Sequence, residues 1–316
     1  MEVVKRVPIH TGALEDFPAS PELPDGAIQV SWADEPGLFV ETINDVIYDE
    51  RDGEKLHLQI LLPMEVRPNI EPPTKKYPLV VFVPGSAFMR QAPKFSLPRM
   101  IQLCQRGFAV AIAEYRPSEV AAFPAQTEDA KTAVRFMRKH AAEYRIYPDR
   151  VAMYGDSSGA HTAVMAGVTG DGLLDNSQYG EFSCEVKCII DCFGPTNFAM
   201  MNCYPSTQDH TGPDSPEGMV LGRVDVLKNL ELSEKASPMY YLSKEKPTPP
   251  MLMMHGDRDQ LVPFNQSVRL YEKLMESGKD VVFYKLEGAF HGTGGFKSKE
   301  ALNVIVAFLS KHLNGK

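Results

Sequence analysis

The amino-acid sequence predicts an α/β domain, a mostly parallel sheet covered by helices on both faces. Three observations lead there. Short apolar runs without polar alternation recur down the chain, as expected of strands buried on both faces. Segments with helical spacing separate these runs, the rhythm of parallel strands joined by crossover helices. One strand-to-helix junction is a tight Gly-x-Ser-x-Gly turn, Gly155-Asp156-Ser157-Ser158-Gly159.

Residues 1–38 are rich in Pro, Asp and Glu, carry the only tryptophan, Trp32, and read as an irregular arm lying on the domain. A single domain is expected over 39–316. Strands are expected around 39–48 and 56–62, with Asp52-Gly53 as the turn signal between them. The proline-rich run 64–78 reads as a loop. Residues 79–83 (Leu-Val-Val-Phe-Val) form the first strand of the repeating pattern. A helix follows over 97–106, with Leu97, Met100, Ile101 and Cys104 on one face and Gly107 placed to end it. Residues 108–113 give the next strand. Pro124 stands at the start of a long helix running to about 144, with Ala130, Ala133, Val134, Met137 and Ala141 inward.

The strand 151–154 enters the serine turn, and an Ala-rich helical segment, 160–168, leaves it. Residues 186–192 form another buried strand. The stretch 198–250 breaks the rhythm: it is polar, Pro-rich and dotted with Met, with short helices at 215–221 and 230–236. A connection that long reads as a partial lid over a pocket. The alternation resumes with a strand at 251–255, a helix at 263–276 closed by Gly278, a strand at 281–286 and a last helix at about 298–313.

Charge and composition exclude several classes. The net charge of −8 leaves no basic stripe for a nucleic-acid partner. Apolar runs are strand-sized, so no bilayer-spanning segment is expected. Residues 1–26 hold no continuous apolar stretch of signal-peptide type, which predicts a cytoplasmic chain or one whose leader has been removed. Five cysteines, none in a Cys-x-x-Cys pair, predict free thiols and neither a zinc site nor a cofactor. Cys184, Cys188 and Cys192 read as core thiols, and Asp129, Arg135 and Arg138 as a solvated or ion-paired helix face.

In the junction around Ser157, the flanking glycines leave room where strand and helix nearly collide, and the serine takes the strained apex with its hydroxyl exposed. The competing reading is a turn serine that only caps the helix. A nucleophilic serine needs a base and a carboxylate that orients the base. In a doubly wound sheet both must lie beyond the carboxyl ends of strands. Of eight histidines, His57, His140 and His312 fall inside elements, His10 in the arm and His210 in the lid. His161 is expected to pack locally, and His255, at a strand end, reads as structural. His291, in the glycine-flanked loop before the last helix, is the best-placed base. Asp259 is the expected acid, with Asp257 bracing its loop and Asp191 as the fallback. The chain order Ser157, Asp259, His291 is that of α/β-hydrolases. For the oxyanion, the expected amide donors are Ser158 and, on the loop Pro84-Gly85-Ser86-Ala87-Phe88, Ser86 or Ala87.

Taken together these residues resemble the α/β-hydrolase esterases of the hormone-sensitive-lipase and bacterial feruloyl/acetyl-xylan esterase type. The resemblance runs from about residue 56 to the C-terminus. It is carried by Val81-Phe-Val-Pro-Gly-Ser-Ala-Phe88, Glu114-Tyr-Arg116, Phe123-Pro-Ala-Gln126, Glu128-Asp129, Gly155-Asp-Ser-Ser-Gly-Ala-His161, Phe193-Gly-Pro-Thr196, His255-Gly-Asp-Arg-Asp259 and Phe290-His291-Gly292. The usual His-Gly-Gly-Gly of the oxyanion loop is here Pro84-Gly85-Ser86-Ala87. The resemblance implies a serine carboxylesterase for small ester substrates, with short acyl or feruloyl groups on carbohydrate. Two other readings are a prolyl-oligopeptidase-like peptidase, which normally carries a large extra domain, and a non-enzymatic binding member of the fold.

Overall fold

The structure is a computed structural model, and it describes residues 7–9, 11–12, 16–29, 39–64, 74–176 and 178–314. His10, Trp32 and most of the 64–78 loop lie outside the described residues. Every described residue between 7 and 29 is exposed.

Eight strands form one sheet: β1 (Phe39–Arg51), β2 (Glu54–Met64), β3 (Tyr77–Val83), β4 (Ala109–Ala113), β5 (Ile146–Asp156), β6 (Cys188–Cys192), β7 (Met251–Gly256) and β8 (Val281–Leu286). Their spatial order is β1-β2-β4-β3-β5-β6-β7-β8. β1 with β2 and β2 with β4 are antiparallel, and every other pair is parallel. The apolar runs of β3, β4 and β6 are buried at every residue, as strands covered on both faces must be. β8 is an edge strand, and Val282 and Tyr284 are exposed on it.

The α-helices among the described residues are α1 (Leu97–Cys104), α2 (Ala125–Lys139), α3 (Ser158–Thr169), α4 (Pro216–Val220), α5 (Leu230–Lys235), α6 (Asn265–Glu276) and α7 (Lys299–Leu313). α2, α3 and α6 pack on one face, around Ala133, Val134, Val164, Leu270 and Leu274. α1 and α7 pack on the other, around Met100, Leu103, Ile305 and Leu309. α2 ends five residues earlier than its spacing predicts. Past His140 the backbone leaves the helical region, and turns carry it to Arg145 at φ 50°.

The chain passes from β3 to β4 on one side and then crosses back to β5 on the other. The crevice between β3 and β5 is therefore the topological switch point of the sheet, where loops diverge and leave room for a ligand. The 198–250 segment is more ordered than a loose lid. Phe198, Val220, Leu221, Val226 and Ala236 form a small core of their own with Phe88 from the β3 loop.

Of the two readings of Asp129 and Arg135, solvated or ion-paired, the ion-paired one holds. Asp129 is buried and pairs at 2.8 Å with Arg116, just past the end of β4. Arg135 is likewise buried and paired, with Asp171 and Asp175. Cys184, Cys188 and Cys192 are buried free thiols, as expected.

Candidate active site

The β5–α3 junction is as tight as its sequence requires. A Cβ at Gly155 would stand 2.3 Å from the carbonyl oxygen of Gly159, and one at Gly159 would stand 2.1 Å from that of Val83. Ser157 itself sits at φ 52°, ψ −130°. A non-glycine residue there costs on the order of 1–3 kcal/mol, and the surrounding contacts must hold it in place.

Three side chains from three loops meet at this apex. His291 Nε2 lies 3.0 Å from Ser157 Oγ. On its other side, His291 Nδ1 lies 2.7 Å from Asp259 Oδ2. The Phe193 ring packs edge-on against the imidazole at 4.6 Å and limits its rotation. Asp259 is held from behind: its Oδ1 accepts the amides of Leu261 and Val262, each at 2.9 Å.

His255 contributes more than its structural placement implied. Its Nε2 lies 3.2 Å from Asp259 Oδ2 and 3.0 Å from the carbonyl of Val262, while its Nδ1 faces Ser267 Oγ at 2.7 Å. Burial alone pushes the Asp259 carboxyl upward, but hydrogen bonds from His255 and His291 outweigh it and bring it down to about 2. The carboxylate is thus ionised, accepts Nδ1–H, and leaves Nε2 of His291 as the acceptor facing the serine.

Other residues are accounted for differently. Asp257 accepts the Gly288 amide at 2.7 Å, bracing the loop that carries His291. Asp191 is buried beside the serine turn, accepts the Gly194 amide at 3.0 Å, and has its second oxygen unpaired. Burial pushes its carboxyl up to about 7. His161 is buried between Phe88 and Phe198 with Nε2 2.7 Å from the carbonyl of Ala236. His210 is bound to Glu217 at 2.8 Å within the 198–250 segment.

The oxyanion loop requires a correction. The Ser86 amide donates to Ser158 Oγ at 2.9 Å, so it is occupied by the protein's own side chain. Gly85 donates to Asp156 Oδ1 at 2.7 Å. The amides of Ala87 and Ser158 have no such partner among the described residues. Ala87 and Phe88 both adopt positive φ, 55° and 61°, which turns the loop back over the serine without the glycines usual at this place. Tyr115 braces it, its hydroxyl 2.9 Å from Ser86 Oγ and 3.1 Å from Ser158 Oγ. Sequence reasoning singled out the Glu114-Tyr-Arg116 motif but not this role, because it depends on the fold bringing β4 beside the β3 loop.

The cleft above Ser157 encloses about 510 Å³. Phe95, Phe193 and Val262 give it apolar walls, and Gln208, His210 and Glu217 of the 198–250 segment line the polar side.

A mostly parallel sheet with a serine at the β5–α3 turn, and an aspartate and a histidine on the loops after β7 and β8, defines the class of α/β-hydrolases. The BD-FAE family model matches residues 68–274, well over half of the chain. The chain belongs to the BD-FAE family. It is 25% identical over 250 residues to Esterase LipC of Mycobacterium tuberculosis, an overlap of 76% of this chain and 59% of that protein. The chain spans between 53% and 60% of the length of LipC and of LipQ and LipM from the same organism. Among solved structures, a truncated carbohydrate esterase from gut microbiota aligns with a TM-score of 0.76 at 27% identity, covering 89% of this chain and 99% of that one. A bifunctional GH43-CE protein of Bacteroides eggerthii aligns at 0.73 with 29% identity, covering 86% of this chain and 38% of that one. Among the described residues no helix is long and apolar enough to cross a membrane.

Proposed function

We propose that this protein is a serine carboxylesterase that hydrolyses short acyl or feruloyl esters carried on carbohydrate. The observation that carries the reading is the chain of hydrogen bonds from Ser157 through His291 to Asp259, at 3.0 and 2.7 Å. In the reaction His291 Nε2 takes the Ser157 proton as Oγ attacks the ester carbonyl. Asp259 holds the imidazolium, and the free amides of Ala87 and Ser158 receive the oxyanion at the N-terminal end of α3. Collapse of the intermediate expels the alcohol, which takes the proton back from His291. Water then repeats the sequence on the acyl-enzyme, releasing the acid and restoring Ser157.

The carbohydrate assignment is supported by the similarity to two solved structures, a carbohydrate esterase and a GH43-CE protein. It also fits the cleft, whose polar side carries Gln208 beside the buried His210–Glu217 pair. A peptidase of prolyl-oligopeptidase type has less support, since an intact Ser–His–Asp set serves both classes but the relatives are esterases. The test is a panel of 4-nitrophenyl esters of increasing chain length beside methyl ferulate, acetylated xylo-oligosaccharides and a peptide amide. Short-chain and sugar-ester hydrolysis is expected. A preference for long acyl chains with no action on sugar esters contradicts the carbohydrate assignment, and cleavage of the amide favours the peptidase.

A further inference from the structure

A second cavity of about 480 Å³ lies beside the catalytic cleft, between α1 and α7. The two share a wall that includes Asp156, Phe193 and Gly292, so the second cavity begins one residue from the nucleophile. Phe82, Tyr154, Phe193 and Phe296 make most of its lining apolar. Set into this lining is the guanidinium of Arg99, stacked over the Tyr154 ring at 5.2 Å, with a quarter of the side chain exposed.

That guanidinium has five donors and little to bond. Its nearest contacts are Asp156 Oδ2 and Cys192 Sγ, both at 3.9 Å. The first is beyond hydrogen-bond distance and the second is a weak sulfur contact. No oxygen acceptor reaches Arg99 within hydrogen-bond distance among the described residues. Asp156 does not close the gap, because its Oδ1 is committed to the Gly85 amide at 2.7 Å and its Oδ2 stays 3.9 Å from the guanidinium. Two further cations line the cavity, Lys94, paired with Asp45, and the exposed Lys297. In a chain of net charge −8, this is a local concentration of positive charge against an apolar wall. A half-buried, under-bonded guanidinium pairs best with a planar carboxylate, which it holds by two parallel hydrogen bonds.

We propose that this cavity is a substrate subsite for a carboxylate carried on the ester, read by Arg99. The inference rests on the esterase reading and narrows it: the preferred esters bear an anionic group joined to the scissile carbonyl through an apolar or ring-shaped spacer. The carboxylate belongs either to the acyl half, as in a half-ester of a dicarboxylic acid, or to the alcohol half, as in an ester of an acidic sugar. Arg99 is a specificity-determining residue in either case, since it touches the substrate away from the reacting atoms.

The test is a ratio of kcat/KM values for matched anionic and neutral esters. For the acyl half the pair is mono-4-nitrophenyl glutarate against 4-nitrophenyl hexanoate. For the alcohol half it is acetylated xylo-oligosaccharide with and without a uronic acid branch. In one of the two pairs the wild type is expected to favour the anionic member by about tenfold or more, the worth of one charge-assisted pair. Arg99→Gln should abolish that preference, and Arg99→Lys should keep part of it, because a lysine retains the charge but not the fork. As a check independent of folding in the variants, the wild-type preference should shrink as salt is raised. No anionic preference in either pair, or an equal preference in Arg99→Gln, overturns the subsite while leaving the esterase reading intact. Failure to hydrolyse any of these esters, anionic or neutral, overturns both.

Discussion

The hydroxyl of Ser158 accepts the amide N–H of Ser86 at 2.9 Å, tying the loop after β3 to the helix that follows the nucleophile. In the proposed mechanism this contact takes the Ser86 amide out of the set of oxyanion donors and leaves the amides of Ala87 and Ser158. Tyr115 stands behind both serines and completes the brace. The usual polyglycine loop can fold back without steric cost. Here, with Ala87 and Phe88 at positive φ, side-chain hydrogen bonds hold the strained loop in place.

Ser158→Ala keeps the backbone donor and removes the brace. A neutral hydrogen bond contributes about 1 kcal/mol, and losing an oxyanion donor outright costs about 2.7–4 kcal/mol, so the expected fall in kcat lies between these, roughly 5- to 100-fold. KM should change little, because the brace acts on the transition state. Steady-state kinetics with 4-nitrophenyl acetate checks this, and a rise in KM with kcat intact contradicts it. Tyr115→Phe should reproduce a smaller part of the effect.

Asp259→Asn should leave the fold and the cleft in place and lower kcat on the order of 10³- to 10⁴-fold, since the amide favours the wrong imidazole tautomer. The same carboxylate ties stability to acid. Its proton is held off in the folded protein until about pH 2, against an ordinary value of 3.8. The stabilisation is complete above about pH 4 and is lost as pH falls toward 2, amounting to about 2 kcal/mol. Urea unfolding of wild type and Asp259→Asn across that range should converge at the acid end.

Asp191 carries the opposite pH dependence. Its raised carboxyl, about 7 against 3.8, stabilises the fold at low pH and costs stability as pH rises through 7. Asp191→Asn keeps the acceptor for the Gly194 amide and removes the proton. It should therefore gain stability relative to wild type on going from pH 5 to pH 8, by roughly 2.5 kcal/mol. Hydrolysis should persist near the wild-type rate, because Asp259 and not Asp191 meets His291. A collapse of activity would return Asp191 to the role of acid.

Gly159→Ala places a methyl 2.1 Å from the Val83 carbonyl oxygen, a backbone atom that cannot move aside. Overpacking of this kind should cost at least about 3 kcal/mol and lower the soluble yield sharply. A urea midpoint equal to that of wild type contradicts the tight-turn account.

Much of this arrangement was legible because parallel sheets follow strict rules. Unbroken apolar runs such as 79–83 located the strands, and only their carboxyl ends can present side chains to the switch point. That rule separated His291 from seven other histidines and Asp259 from its neighbours, and the structure brings both to Ser157. What stayed hidden depends on contacts between distant segments. Nothing local distinguishes Ser86 from Ala87 as a free donor; the difference lies in Ser158 reaching across from α3. The sequence allowed an ion-paired Asp129 but not its partner, Arg116, which lies just past the end of β4. Arg99 sits on an ordinary amphipathic helix, and only the packing of α1 over Tyr154 turns it toward a cavity.

The central claim is that Ser157 is the atom that reacts. The most direct test is labelling with a fluorophosphonate probe followed by peptide mapping, read beside the turnover of Ser157→Ala. A single adduct on Ser157, with a folded Ser157→Ala protein that neither labels nor turns over ester, is the predicted result. An adduct elsewhere, or more than a few per cent of wild-type turnover left in Ser157→Ala, contradicts it.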